Sequence, residues 1–390
     1  MIARVLITSA AEMQSVAVGW QIYNLTHRPL DLGLVGLAQF APAVLLFLLA
    51  GHTADRFPRL RILQACYGGF ALCSLLLLTL ALNHIAVVWP IYAVLVWNGI
   101  VRAFNGPAGQ AFLPLLVPAE NFPSAVAWGS SIFQGAMVVG PSIGGLIYGF
   151  SGSPVPVYAT SAIACIGGLL AISAIQLQPV IRPRQNATVA MVLEGLRYIW
   201  RNKLILGAIS LDLFAVLLGG AVALLPVYAR EILNAGPYGL GLLRGAPSAG
   251  AVLMAIALGR WPLRRHAGAA MLYCVLGFGV FTIVFGLSRN IVLSMAALVL
   301  VGACDMVSVI IRHTLVQLGT PDEMRGRVSA VNVLFIGASN EVGQFESGLT
   351  AQWFGTVPAV ILGGIGTIAV VGLWSWMFPT LRRVDKLVQE

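Results

Sequence analysis

Twelve apolar stretches run the length of the chain, each near the roughly 20 residues that a helix needs to cross a hydrocarbon layer. They fall at about 2–25, 32–51, 62–83, 88–112, 124–150 and 155–178 and, after a basic connection, at about 204–228, 240–259, 268–288, 290–314, 327–351 and 356–378. Lipid offers no water to a backbone N–H or C=O, so segments of this length must close their hydrogen bonds internally, as helices. Composition leaves room for little else: 58% of the 390 residues are hydrophobic and 9% charged, where a soluble domain carries about 25% charged residues. The expected fold class is an all-α integral membrane protein of twelve transmembrane helices. The stretch at 327–351 is the least apolar, because it carries Asn340, Glu341, Gln344 and Glu346.

The net charge of +9 would raise the question of nucleic acid in a soluble protein. Here the basic residues collect on one side of the spans. Arg4, then Arg56, Arg59 and Arg61, then Arg182, Arg184, Arg197, Arg201 and Lys203 lie there. So do Arg260, Arg264 and Arg265, Arg325 and Arg327, and Arg382, Arg383 and Lys386, whereas the opposite side has only Arg28, Arg230 and Arg289. Cytoplasmic loops are the ones enriched in Lys and Arg, so both termini are expected in the cytoplasm and no nucleic-acid partner is expected. The five cysteines stand singly in apolar segments without metal-ligand spacing, so neither a metal site nor a cofactor is expected. The first apolar stretch carries Glu12 and Gln14 and no small-residue cleavage pattern, which argues against a cleavable signal peptide. A phosphate-binding Gly-rich loop and His-Glu-x-x-His are missing, and the placement of Ser, His and Asp in the spans gives no paired nucleophile and base, so an enzyme is not expected.

The chain repeats itself. A shift of 208 places Leu32, Gly33, Leu34, Ala38, Ala41, Ala43, Val44, Leu45 and Gly51 on Leu240, Gly241, Leu242, Ala246, Ala249, Ala251, Val252, Leu253 and Gly259. A shift of 203 pairs Gly99 with Gly302, Pro118 with Pro321, Glu120 with Glu323, Ala127 with Ala330, Gly140 with Gly343 and Gly145 with Gly348. The expected organisation is an N-terminal six-helix bundle at 1–178, a cytoplasmic amphipathic linker at 179–203 resting on anionic lipid headgroups, and a pseudo-symmetric second bundle at 204–390. Parallel repeats of six spans suit a transporter that rocks two bundles about a central cavity.

Three motifs bear on mechanism. Gly51-His-Thr-Ala-Asp55-Arg56-Phe-Pro-Arg59 joins the second and third spans, as a candidate conformational gate formed by Gly51, Asp55, Arg56 and Arg59. The fourth span holds Arg102-Ala-Phe-Asn105-Gly106. The fifth holds Gly140-Pro141-Ser-Ile-Gly144-Gly145, where proline and glycine permit a kink and close packing. Together these resemble the signatures of the major facilitator superfamily. The stretch from Met13 to Pro42, with Pro321-Asp322-Glu323-Met-Arg325-Gly326-Arg327, resembles its siderophore-exporter branch. The likeness covers essentially the whole chain. It implies a secondary active transporter of the bacterial inner membrane that exports a siderophore-like or drug-like molecule by alternating access with proton antiport, as a monomer. The alternative is a facilitator or flippase for an amphiphile such as a lysolipid, without ion coupling.

Ionisable groups at membrane depth are costly and are functional candidates by default. Glu12, Arg102, Asp305, Arg312 and Glu341 are the candidates for proton coupling. Asp305 is the repeat mate of Arg102 and could meet it across the cavity; Arg312, seven residues on and on the same helix face, is the other possible partner. For Arg102, anion binding and a structural ion pair stand level. Gln14, Gln21, Gln39, Trp97, Asn105, Gln134, Asp212, Asn332, Asn340 and Glu346 are candidates to line the substrate cavity. Any single polar group among them can instead be helix-to-helix glue, worth about 0.6 kcal/mol.

Overall fold

The computed structural model describes residues 1–175, 189–262 and 265–385. The first part of the expected linker, with Arg182 and Arg184, lies outside them, as do Arg264 and Lys386. The described chain is helical, in the order Ile2–Thr26 (α1), Pro29–Leu45 (α2), Phe47–Arg56 (α3), Arg59–Leu82 (α4), Trp89–Leu116 (α5), Phe122–Ser151 (α6), Val155–Ser173 (α7) and Val189–Arg201 (α8). Lys203–Gly219 (α9), Leu225–Val227 (α10), Gly236–Arg260 (α11), Ala267–Leu287 (α12), Ile291–Leu318 (α13), Asp322–Phe354 (α14), Thr356–Met377 (α15) and Pro379–Arg382 (α16) follow.

Every expected span falls on a helical segment, and eight of them are long and apolar enough to cross a membrane on that measure alone. Those that fall short, α1, α2 with α3, α5 and α14, are the ones carrying Glu12, Gln39, Arg102 and Glu341. α2 falls short by length, since the break at Leu46 leaves it 17 residues, whereas α1, α5 and α14 are diluted by polar residues. The second span is interrupted at Leu46 (φ −97°, ψ 0°), and Gly51 to Arg56 are helical in α3 rather than a loop; only Phe57 and Pro58 separate α3 from α4. Pro58, fixed near φ −58° and extended in ψ, ends one helix and starts the next without a longer connection.

Local chemistry sets the other ends. Asn202 caps α9 by accepting from Leu204 and Ile205 N–H groups at 3.2 and 3.3 Å, and Asn290 caps α13 in the same way. Gly152 stops α6 with φ 65°, a conformation that suits glycine.

Two compact units result. The first comprises Met1–His27, Leu37–Ala187 and Ala235–Gly245, and the second Arg28–Gly36, Thr188–Asn234 and Ala246–Glu390. In the first, Ile7, Leu63, Cys66, Phe70, Val101 and Cys165 bring α1, α4, α5 and α7 into one core. In the second, Leu211, Ala215, Met271, Val275, Ile311 and Trp374 do the same for α9, α12, α13 and α15. Ile199 on α8 joins Ile205, Val316, Val328 and Val331 in a smaller cluster, and Arg327 bonds Glu194 across 2.7 Å, so the described part of the linker is anchored within the second unit.

The repeat is geometric as well as sequential. In the first unit Gly99 packs on the Gln39 carbonyl; in the second its repeat mate Gly302 packs on the carbonyl of Pro247, the mate of Gln39. A Cβ at Gly145 would stand 2.7 Å from Gly241 Cα and from the Pro237 oxygen. Its mate Gly348 would meet Gly33 Cα and the Pro29 oxygen at 2.9 Å. Each contact is thus the image of another under the two sequence shifts, and each needs glycine because only backbone lies opposite.

Candidate functional site

Two charged clusters lie within the spans, one in each unit; in the first Glu12 and Arg244 are half-buried and Arg102 is exposed, and in the second Asp212 and Arg312 are buried. In the first, Glu12 of α1 lies within electrostatic reach of Arg102 on α5 and Arg244 on α11. The α6 motif sets this arrangement. A Cβ at Gly140 would come within 2.7 Å of Glu12 Cβ, and one at Gly144 within 2.8 Å of Met13 Cα, so the missing side chains let α1 lie directly on α6. One turn further, Gly145 receives α11 at Gly241, three residues from Arg244. The motif therefore seats both the acid and one of its arginines. Arg102 also donates to Gln39 Oε1 at 3.0 Å, tying α5 to α2.

In the second unit, Arg312 on α13 donates through Nη1 to Asp212 Oδ2 on α9 at 2.6 Å, with the two side chains 3% and 6% exposed. Asp305, two turns before Arg312, lies in the field of both Asp212 and Arg312. A cavity of about 10 Å³ opens between the carboxylates, lined by Asp212, Val216, Phe278, Cys304, Asp305 and Ser308. Ser308 Oγ, from the cavity wall, and Arg312 Nε are buried without a hydrogen-bond partner.

Glu341 sits half-buried on α14, where its Oε2 accepts from Gln344 Nε2 at 3.3 Å and would meet a Cβ at Gly36 at 3.1 Å. Glu346 is half-buried one turn on. Of the other polar candidates, Gln14 donates to Ser74 in the buried contact of α1 with α4, Gln21 accepts from Tyr158 Oη at 2.7 Å, and Trp97 donates to the Gly69 carbonyl at 3.1 Å. These side chains are engaged in joining helices. Gln134 is half-buried, and Asn340 is exposed and returns to the Ile336 carbonyl at 2.8 Å. Asn105 Oδ1 and Asn332 Oδ1 are buried without partners. Gly51, Arg56 and Arg59 stand at the junction of α3 and α4, while the Asp55 side chain lies outside the described set.

Sequence reasoning placed Asp212 among cavity-lining groups and left Ser308 unremarked. Ser308 falls three residues after Asp305 and four before Arg312, a helical spacing that puts all three on one face and would have pointed to it. Nothing in the sequence says that α9 lies alongside that face.

The profile of a family described as "Transmembrane secretion effector" matches residues 1–388. The chain is similar to the enterobactin exporter EntS of Shigella boydii, with 26% identity over 370 residues, 94% of this chain and 84% of that protein. EntS of Escherichia coli matches to the same extent. Among solved structures, a mutant of the nucleoside transporter NupG superposes with a TM-score of 0.74 at 15% identity, covering 97% of this chain and 98% of that one. A bacterial homologue of the human lysosomal transporter Spinster gives 0.73 at 13%, covering 98% and 94%.

Proposed function

Since the chain belongs to the transmembrane secretion effector family and has the major facilitator fold, we propose that it exports a small hydrophobic or amphiphilic molecule, siderophore-like or drug-like, across the bacterial inner membrane by alternating access driven by proton antiport. The observation that carries this reading is Glu12, an acid inside a span, facing Arg102 and Arg244 and seated by the α6 glycines. Charges at such depth cost at least about 2.5 kcal/mol each on insertion scales, a cost that function must offset. Donor groups of the substrate and a proton compete for the same Glu12 oxygens, so loading one expels the other, which is what antiport requires. The similarity to EntS supports an amphiphilic, siderophore-like cargo.

The experiment has two stages. Thermal stabilisation of the purified protein, screened over siderophores, drugs and lysolipids, identifies a ligand. Uptake of that ligand into inverted vesicles is then followed with and without an imposed pH gradient. Accumulation that depends on the gradient, and that Glu12→Gln abolishes, is the expected result. Equal transport after a protonophore collapses the gradient rules out antiport.

A further inference from the structure

We propose that Asp212, Asp305 and Arg312 form a proton-binding site inside the second unit, which holds a single exchangeable proton and uses it to release Arg312 from α9. This deepens the antiport reading and rests on it for its use in transport. Its geometry stands independently.

The argument is one of charge and reach. Asp212, bonded to Arg312, and Asp305 face one cavity whose remaining walls are Ala215, Val216, Val275, Phe278, Cys304 and Ser308. With all three ionised the group carries a net charge of −1, and a low-dielectric interior does not hold an uncompensated charge. One proton restores neutrality; two would leave Arg312 uncompensated. The cavity, at about 10 Å³, is on the order of the space one water needs. Ser308 Oγ and Arg312 Nε are the buried groups left without partners beside it. They are the groups that such a water, or a swung Arg312, would satisfy.

The site has two arrangements. In the structure Arg312 reaches across to Asp212 and ties α13 to α9, an arrangement in which the proton sits on Asp305. When the proton moves to Asp212, that bridge loses its anionic acceptor and Asp305 becomes the carboxylate. Asp305 is two turns, about 10 Å of rise, before Arg312, and helix side chains lean toward the N-terminus, so Arg312 can pair with it along its own helix. The move breaks no covalent bond; the proton passes from one carboxyl oxygen to the other through the cavity. The tie between α9 and α13 is thereby made or released. The other titratable groups near this site are Cys304 on α13, which lines the cavity, and Cys274 on α12 beside it, with His313 exposed next to Arg312 and Thr367 the polar contact of α15 to α9.

The test needs no substrate and no gradient. Infrared difference spectra of the full-length protein in proteoliposomes, titrated with pH and compared between variants, count protonated buried carboxyls. Relative to wild type, Asp212→Asn and Asp305→Asn should each lose one carboxyl signal, because the remaining acid is balanced by Arg312. Arg312→Gln should gain one, doubling the contribution of this site, since two acids without a cation both protonate. Asp305→Glu should retain the signal, and its retention separates charge balance from misfolding. An unchanged count in Asp305→Asn overturns the proposal, as does a wild-type signal bleached by sodium at constant ionic strength, which would make the occupant a metal cation. If these counts fail while the pH gradient still drives export, the site is wrong and antiport stands. If the counts hold while export ignores the gradient, the site stands and antiport falls.

Discussion

Removing one partner of the Asp212–Arg312 pair leaves a charge where water cannot reach it, and such losses run to about 3–5 kcal/mol in buried pairs. Asp305 changes that expectation, because it stands ready to take Arg312 when Asp212 is gone. Asp212→Ala combined with Asp305→Ala should therefore destabilise the protein by more than the sum of the two single variants, and the excess, read from detergent-solubilised thermal unfolding of the single and double variants, measures the substitution of one acid for the other. Additive losses would mean that Asp305 gives Arg312 no support. Gly140 is decided at the same scale. A valine there would place a Cβ 2.7 Å from that of Glu12, with two further methyls beyond it. Gly140→Val is expected to fold, because α1 can shift by a fraction of a turn, but to lose gradient-driven transport as Glu12 leaves its arginines; normal uptake by a normally expressed Gly140→Val protein would disconnect the motif from the acid.

At the scale of helices, paired glycines decide where backbones meet. Gly145 with Gly241 and Gly348 with Gly33 lie near the ends of their spans away from the arginine-rich loops, and repeat symmetry relates the two contacts. Alternating access, as proposed, requires contacts at these ends of the spans to open and close. The pair Gly149 and Tyr238 offers a direct test, because a Cβ at Gly149 would lie 3.4 Å from Tyr238 Cβ, close to the spacing of about 3.8 Å in disulfides. The double variant Gly149→Cys with Tyr238→Cys should cross-link under mild oxidation and stop transport, and reduction should restore it. Transport that continues through a complete cross-link would show that α6 and α11 need not part. The sequence repeat made these partners legible in advance: once the two registers are known, each glycine contact in one half names its image in the other. What it left hidden was which helix lies against which. Asp212 looked like one polar residue among many because its partner is a hundred positions away on another helix, whereas Asp305, Ser308 and Arg312 share one helix, where spacing alone places them together.

For the molecule as a whole, the expected orientation rests on where the basic loops lie. The apolar spans were legible from length and hydropathy, whereas the break at Leu46 that divides the second span was not. Orientation follows from a different physical source, the excess of Lys and Arg on one side, with Arg56, Arg59, Arg260 and Arg325 facing one way and Arg289 the other. The native cysteines are buried or half-buried, so exposed cysteines placed in the connections would dominate labelling. His84→Cys and Arg289→Cys, in exposed turns after α4 and before α13, should react with a membrane-impermeant maleimide in intact cells. His266→Cys, exposed before α12, should react only after permeabilisation. The reverse pattern would turn the glycine contacts toward the cytoplasm and overturn the expected topology, while leaving the direction of antiport unchanged, because a proton entering down its gradient drives the cargo outward whichever face of the protein it meets first. The labelling thus tests the topology, which neither the fold nor the charged clusters decide by themselves.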